Sequence, residues 1–369
     1  MNKPLEIAFF GSSIVSAYWN GAATYYRGIV KALHKMGHHI TFYEPNIYQR
    51  QEHRDIPDPD WCSVRIYEAR EAILENLMTE AAKADVIIKA SGVGAYDQWL
   101  EEKVVQLKSE HNLVIFWDVD APATLERIDN DPQDPFRSVV GRYDFILTYG
   151  GGKPVIDAYT GIGAKRCIPI YNALDTDTHF PVAPDPQFKC DLAFLGNRLP
   201  DREKRVEEFF IDPAKKLPDR KFILGGSGWD DKPLSPNTKY VGHVYTQHHN
   251  AFNCTPRAVL NISRDSMARF GFSPATRVFE AAGAQSCIIT DYWEGIESFF
   301  EPGKEILVAS SGQEVIELLE DLTSDRAKEI GKAALRRVLS EHTYEHRAHL
   351  LERVFSEKLE DTPSVAQKL

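Results

Sequence analysis

The chain has 369 residues, 43% of them hydrophobic, and a formal net charge of −11. That length suggests two domains, and the apolar content is ample for two cores. The acidic balance, with no basic face, argues against a nucleic-acid binder or a protein held on anionic lipid, and no run nears the ~18 apolar residues of a membrane span.

Leu5 to Phe10 is too short for the apolar core of a signal peptide and turns at Gly11-Ser12-Ser13, so a cytoplasmic protein is expected. Ile7 to Phe10 reads as a strand. Ala22, Tyr25, Tyr26, Ile29, Val30 and Leu33 describe an amphipathic helix closed by Gly37. Ile40 to Tyr43 is a second strand, 45 to 61 a loop, and Glu68 to Lys83 a helix. Val86 to Lys89, Leu113 to Trp117, Phe145 to Thr148 and Cys167 to Ile170 are further strands. Asp175 to Lys189 holds three prolines and no periodicity, and a linker is expected there. Beyond it, Leu192 to Leu195, Phe222 to Leu224, Val259 to Ile262, Ile288 to Thr290 and Ile306 to Val308 read as strands. Ser311-Gly-Gln-Glu314 is a capping box opening a helix, Tyr344 to Leu359 is helical, and the last ten residues look disordered. Alternating strands and helices in both halves predict an α/β protein with parallel sheets. Cys167 and Cys287 begin strands and are expected as buried thiols. The five scattered cysteines suggest neither a disulfide framework nor a zinc site.

No G-x-G-x-x-G follows the first strand and no P-loop occurs, which disfavours an ordinary dinucleotide oxidoreductase. Chemistry is expected in the loops at the carboxyl ends of the strands. In the first half these are Gly11, Ser12 and Ser13, then Tyr18-Trp19-Asn20-Gly21, the run Ala90-Ser91-Gly92-Val93-Gly94, and Tyr149-Gly150-Gly151-Gly152. Each reads as a turn or as a wall that a ligand can approach. Asp118 and Asp120, two carboxylates after an apolar strand, are the general-base candidates; the alternative is that one caps the next helix.

In the second half, Gly271 to Asp291 reads as loop, helix and strand. Ser273 and Pro274 form a helix start, and Ala275, Val278, Phe279 and Ala282 give it one apolar face. Such a start suits a diphosphate, through the N–H groups and side chains of Ser273 to Arg277, Ala275 and Thr276 included. Glu280, one to two turns in, can accept hydrogen bonds from the two hydroxyls of a ribose. Arg264 is a phosphate candidate through charge-assisted hydrogen bonds. The plain alternative is a solvated glutamate on an ordinary helix.

The stretch VLNISRDSMARFGFSPATRVFEAAGAQSCIITDYWEGIESFFEPGKEILVASSGQEVIELL resembles the C-terminal domain of the CgeB-like family of GT-B glycosyltransferases. FGSSIVSAYWNGAATYYRG and WDVDAPATL look like a bacterial subgroup of it. The resemblance implies two Rossmann-like domains facing a cleft: an acceptor-side domain at 1–178, a nucleotide-sugar domain at 179–345, and a helix and tail at 346–369. It implies a UDP or TDP sugar as donor, with Gly196, Asn197 and Arg198 near the phosphates and Gly242-His243-Val244 near the base; Gly226, in the Gly-rich run after another strand, is a further donor-binding candidate. Related retaining enzymes carry a glutamate eight positions before the one on the ribose; here that position is Phe272, so retention and inversion both stay open. The expected function is metal-independent sugar transfer to an unidentified acceptor (a small molecule, glycan or protein), with no cofactor. Asp118-Val-Asp120 has the spelling of a metal motif but reads as acceptor-side. The alternatives are a nucleotide-sugar epimerase of the same fold and a non-catalytic spore or surface assembly protein with a vestigial pocket.

Overall fold

A computed structural model describes residues 3–18 and 20–360; the tail expectation and Trp19 lie outside the described residues. The chain forms two compact units, one of residues 1–171 with 344–369, the other of Asn172–Thr343. Segment 175–189, expected as a linker, falls inside the second unit.

The first unit runs β1 (Glu6–Phe10), α1 (Ala23–Lys35), β2 (His39–Pro45), β3 (Ser63–Tyr67), α2 (Glu71–Ala81), β4 (Val86–Ala90), α3 (Asp97–Val104), β5 (Leu113–Asp118), α4 (Ala121–Asn130), α5 (Phe136–Val139), β6 (Phe145–Thr148), α6 (Gly152–Gly161) and β7 (Cys167–Pro169). Its seven strands are ordered β3-β2-β1-β4-β5-β6-β7, and every neighbouring pair is parallel. Each strand therefore needs a crossover, and the helices between strands supply most of them. β4 and β5 are buried throughout, as expected for strands covered on both faces. Phe9 stacks on Phe42 at 5.0 Å and tilts against Trp117 at 5.7 Å, the aromatic centre of this core.

The second unit runs β8 (Leu192–Leu195), α7 (Pro200–Val206), α8 (Asp212–Lys216), β9 (Phe222–Gly225), β10 (Thr238–Gly242), α9 (Thr246–Cys254), β11 (Ala258–Asn261), α10 (Asp265–Phe270), α11 (Thr276–Gly283), β12 (Ile288–Asp291), β13 (Leu307–Ala309), α12 (Gly312–Asp321) and α13 (Ser324–Glu341). Its parallel sheet has the order β10-β9-β8-β11-β12-β13. The Ser311 cap forms, its Oγ accepting from the Glu314 amide at 3.3 Å, while the Glu314 carboxylate reaches one residue past the N-cap and accepts from the Ser310 amide at 2.8 Å. Cys167 and Cys287 are buried free thiols, and burial pushes each up to about 12.

Helix α14 (Tyr344–Glu360) returns to the first unit and packs on α1. Gly28 of α1 makes room for the Tyr344 ring, since a Cβ there would lie 2.2 Å from it. Lys35 meets Glu345 at 3.5 Å, Arg166 meets Glu357 at 2.9 Å, and Arg347 Nε donates to the Tyr171 carbonyl at 3.1 Å. Gly28→Ala therefore opposes two effects: a helix gain of about 0.5–1 kcal/mol and overpacking that costs about 1–3 kcal/mol. A net loss of stability is expected, read as a lower urea midpoint at unchanged slope.

Candidate functional site

In an open parallel sheet, ligands bind beyond the carboxyl ends of the strands where the strand order reverses. That point lies between β1 and β4 in the first unit and between β8 and β11 in the second.

The first-unit loops are held largely by their own residues. A Cβ at Gly11 would strike the Phe42 ring at 2.4 Å, so this glycine serves packing. Ser12 Oγ donates to Asn20 Oδ1 at 2.9 Å, Asn20 Nδ2 donates to the Ser13 carbonyl at 2.7 Å, and Ser13 Oγ donates to the buried Glu44 carboxylate at 3.1 Å. Gly21 is exposed with open space around it. Gly150 and Gly151 are buried, and Gly151 takes φ +95° at the entry to α6, where a Cβ would lie 2.0 Å from Val155. That backbone conformation calls for glycine whether or not a ligand approaches.

The two aspartates separate. Asp118 is fully buried, and its Oδ1 accepts from Ser91 Oγ at 2.7 Å, Thr124 Oγ1 at 3.0 Å and the Asp120 amide at 3.0 Å, while Oδ2 accepts from the Tyr159 hydroxyl. Burial first, and then this carboxylate, push the Tyr159 pKa well above its ordinary value. A carboxylate that already holds four donors is a structural hub, which corrects its reading as a general base. Asp120 stands at the N-cap position of α4, makes no side-chain cap bond there, and is half-buried.

In the second unit the loops after β8, β9 and β10 are laced together. Gly226 takes φ +114°, and a Cβ there would lie 2.2 Å from the Gly196 carbonyl oxygen. The Gly226 amide donates to the Gly242 carbonyl at 2.7 Å, the Ser227 amide to Asn197 Oδ1 at 2.9 Å, and Trp229 Nε1 to the Gly196 carbonyl at 2.7 Å. Arg198 meets Glu203 at 2.6 Å and Asp231 at 2.7 Å, so its guanidinium is already engaged by carboxylates. Val244 is buried, while His243 is exposed with its ring edge-on to Tyr245 at 4.8 Å.

The start of α11 differs from the sequence expectation. Gly271 and Phe272 both take positive φ, at +67° and +44°, and the bend turns Ser273 back so that its hydroxyl donates to the Gly271 carbonyl at 2.8 Å. The helix begins at Thr276, with Ala275 at the N-cap and no side chain capping it; Ser273 and Pro274 precede it. Its first turn presents backbone N–H groups of the kind that attract anions. Beside it, Arg264 meets Asp201 at 2.7 Å, and the Ser263 amide and hydroxyl donate to the buried Asp291, which Arg205 meets at 2.5 Å.

Arg202 and Arg277 are the distinctive pair. Their guanidiniums lie 5.7 Å and 5.9 Å from the centre of the same Phe194 ring on β8. Neither forms an ion pair among the described residues; Arg202 donates to the Asn197 carbonyl at 2.6 Å, and its buried Nε finds no acceptor. Burial, followed by repulsion from Arg277, pushes Arg202 down to about 10. Burial lowers Arg277 as well, with Glu280 pulling the other way. Two arginines outside any ion pair among the described residues, one on α7 and one in the first turn of the uncapped α11, are chemistry that suits an anion. Arg277 was legible in the sequence and Arg202 was not: it stands in the unbroken run of charged residues in PDREKRV, with no local pattern to single it out. Glu280, partly exposed, lies one turn after Arg277, 4.0 Å from His179 Nε2. Among the described residues no cluster of three or more His, Cys, Asp or Glu side chains could hold a metal.

Residues 202–353 match a family model described as Glycosyl transferase-like, which makes the chain an enzyme of glycosyltransferase type. No curated protein matches the chain. Among solved structures, sucrose-phosphate synthase from Thermosynechococcus elongatus shares 12% identity over 96% of this chain and 99% of its own, with a TM-score of 0.70. Anabaena HepE in complex with UDP and glucose shares 13% identity over 96% and 100%, at 0.65. An α-glucosyltransferase in complex with UDP-glucose and DNA shares 12% identity over 96% and 100%, at 0.70. At these identities the likeness establishes the fold: two Rossmann-like units of the GT-B type.

Asp118→Ala would strand four donors in a dry interior, and a loss of about 3 kcal/mol or more is expected. Asp120→Ala, at a half-buried position, should stay within about 0.5–1 kcal/mol of the parent. Paired thermal and urea melts of the two variants check the contrast.

Proposed function

We propose that the chain transfers a sugar from a nucleoside-diphosphate donor of the UDP or TDP type to a small-molecule, glycan or protein acceptor. The observation that carries this reading is the Arg202–Arg277 pair on Phe194, beside the uncapped start of α11. The donor diphosphate lies against that pair and the first N–H groups of α11, and Glu280 takes the ribose. Arg264 and Arg198 stand at the rim, already paired with Asp201, Glu203 and Asp231. In the transfer, the bond from the sugar's anomeric carbon to the phosphate oxygen breaks and a bond to an acceptor oxygen forms. The acceptor's proton leaves to a base, and the nucleoside diphosphate departs with the extra negative charge. The two guanidiniums and the helix start stabilise that charge as it develops. A helix start contributes about 0.3–1 kcal/mol and each charged hydrogen bond about 1.5–3 kcal/mol, enough together to serve without a divalent cation. Asp120 is the base on the acceptor side, now that Asp118 is committed to four donors.

The finer placement in the CgeB-like group of bacterial enzymes belongs to this proposal, as does a cytoplasmic location. The only related observation is that, among the described residues, no helix is long and apolar enough to cross a membrane. A net charge of −11 favours an acceptor other than nucleic acid.

Arg202→Ala and Arg277→Ala should each weaken UDP binding by ~10–150-fold, the equivalent of one charged hydrogen bond; Glu280→Ala should weaken UDP and uridine alike. Calorimetry decides, and affinities equal to the parent's would overturn the site. Transfer should survive excess EDTA, and loss restored by manganese would overturn metal independence. Asp120→Asn should cut transfer by ~10²–10⁴ at unchanged UDP affinity, and wild-type turnover would remove Asp120 from the reaction.

A further inference from the structure

Among the described residues of the first unit, the large hydrophobic side chains left exposed are Tyr18, Tyr48, Ile66 and Tyr96. Ile66 lies on the edge strand β3. The three tyrosines do not scatter. Tyr18 follows β1, Tyr48 follows β2 and Tyr96 follows β4, at the carboxyl ends of strands that are neighbours in the sheet. That edge is where an open parallel sheet binds its ligands, and the next strand along, β5, leads to Asp120. The mechanism proposed above uses none of the three rings.

The loops hold these rings in place. Tyr48 and Tyr96 both take left-handed φ, at +55° and +56°, a conformation that bulky residues rarely adopt. Gly94, at φ +98°, lies under the Tyr48 ring: a Cβ there would come within 3.0 Å of it, and the Tyr48 hydroxyl donates to the Gly94 carbonyl at 3.3 Å. Asp97 fixes the same loop by accepting from the Val93 and Gly94 amides at 2.9 Å and 2.7 Å. The loop after β2, residues 46–62, is long for an ordered connection. Arg27 on α1 pins it through Asp55 at 2.7 Å, and the Ser16 hydroxyl donates to the His53 carbonyl at 2.7 Å. The His53 ring stacks on Tyr18 with centres 4.1 Å apart. A strained backbone that leaves a large ring in water gives the fold nothing in return, and such positions gather at ligand sites.

The chemistry narrows the occupant. Arg50 already stands over the Tyr48 ring at 5.2 Å, so a cationic ligand would meet a like charge there. A net charge of −11 disfavours nucleic acid and acidic glycans alike. Rings spread over three loops, beside exposed backbone such as that of Gly92, suit an extended ligand that is apolar on its faces and polar at its edges. A sugar ring is such a ligand: its C–H face covers an aromatic ring, and its hydroxyls meet peptide groups and water. We propose that Tyr18, Tyr48 and Tyr96 form a stacking platform for a neutral saccharide, which is the acceptor. The inference rests on the sugar-transfer reading above, and it narrows the acceptor class left open there.

The test is saturation-transfer NMR on the full chain with a panel of neutral oligosaccharides of glucose, galactose, mannose, rhamnose and N-acetylglucosamine, beside uronic-acid oligosaccharides and simple phenols. Neutral members should bind, with transfer strongest to the C–H protons of one sugar face. Tyr48→Ala and Tyr96→Ala should each weaken that binding by ~3–10-fold, at the parent's melting temperature because the side chains removed are exposed. Tyr48→Phe keeps the ring and should stay within ~3-fold of wild type. Ile66→Ala and Tyr292→Ala, exposed elsewhere, should change nothing. Binding by no neutral saccharide, binding by uronic acids or phenols only, or saccharide signals untouched in Tyr48→Ala and Tyr96→Ala overturns the inference alone. Calorimetry with UDP reads the donor side separately, and the tyrosine variants should keep the parent's affinity. If UDP fails to bind wild type, the donor reading falls and the platform loses its acceptor role; tyrosine-dependent signals would then mark saccharide binding without transfer.

Discussion

A parallel sheet sends all its strands out at the same edge, and both sheets of this chain are wholly parallel. Backbone donors and acceptors are used up within the sheet, so the polar variety gathers in the loops beyond that edge. Where the strand order reverses, crossovers diverge to opposite faces and leave a gap. In the second unit that gap lies beside β8 and β11. Phe194 on β8 supplies a flat apolar floor, and α7 and α11 deliver one arginine each onto it. The loops around the floor have little independent freedom, because Gly226 lies against the Gly196 carbonyl and hydrogen bonds join it to the end of β10.

The contrast with another buried cation shows why the arginine pair is informative. Lys89 on β4 is fully buried, and it has Asp97 at 2.8 Å and Glu101 at 3.7 Å. Glu101 in turn meets Arg127 at 3.1 Å. A charge taken out of water is costly unless it is paired, and in the first unit the chain provides the partners. Around Phe194 no carboxylate among the described residues reaches ion-pair distance of Arg202 or Arg277, although Asp201, Asp291 and Glu280 act on them from further off.

Much of the architecture was legible in the periodicity of the sequence. α1 follows from apolar residues at Tyr25, Tyr26, Ile29, Val30 and Leu33, all buried. β3 escaped notice because it is an edge strand of five residues, mostly exposed, with no apolar run to mark it. α3 was hidden because only Leu100, Glu101 and Val104 of its eight residues are buried. The site was read less completely, for reasons of geometry. Ser-Pro looks like a helix start, but two residues with positive φ before it redirect the Ser273 hydroxyl, and the helix opens at Thr276. Asp118 and Asp120 share a spacing that suggests a common role. Only the fold shows that Ser91, Thr124 and Tyr159 converge on one of them and not the other.

The return of α14 to the first unit bears on how the protein is made. The second unit is an insertion whose ends meet: the Leu174 amide donates to the His342 carbonyl at 2.8 Å, and Leu174 bridges Thr343. During synthesis that inserted unit has its full complement of residues once Thr343 has emerged. The first unit, though begun earlier, must wait for Tyr344 to Phe355 before the surface of α1 around Gly28 is covered. The last helix of the host is thus translated after the whole insertion, and a chain ending near residue 343 would hold every residue of the second unit while α1 of the first lacked its cover.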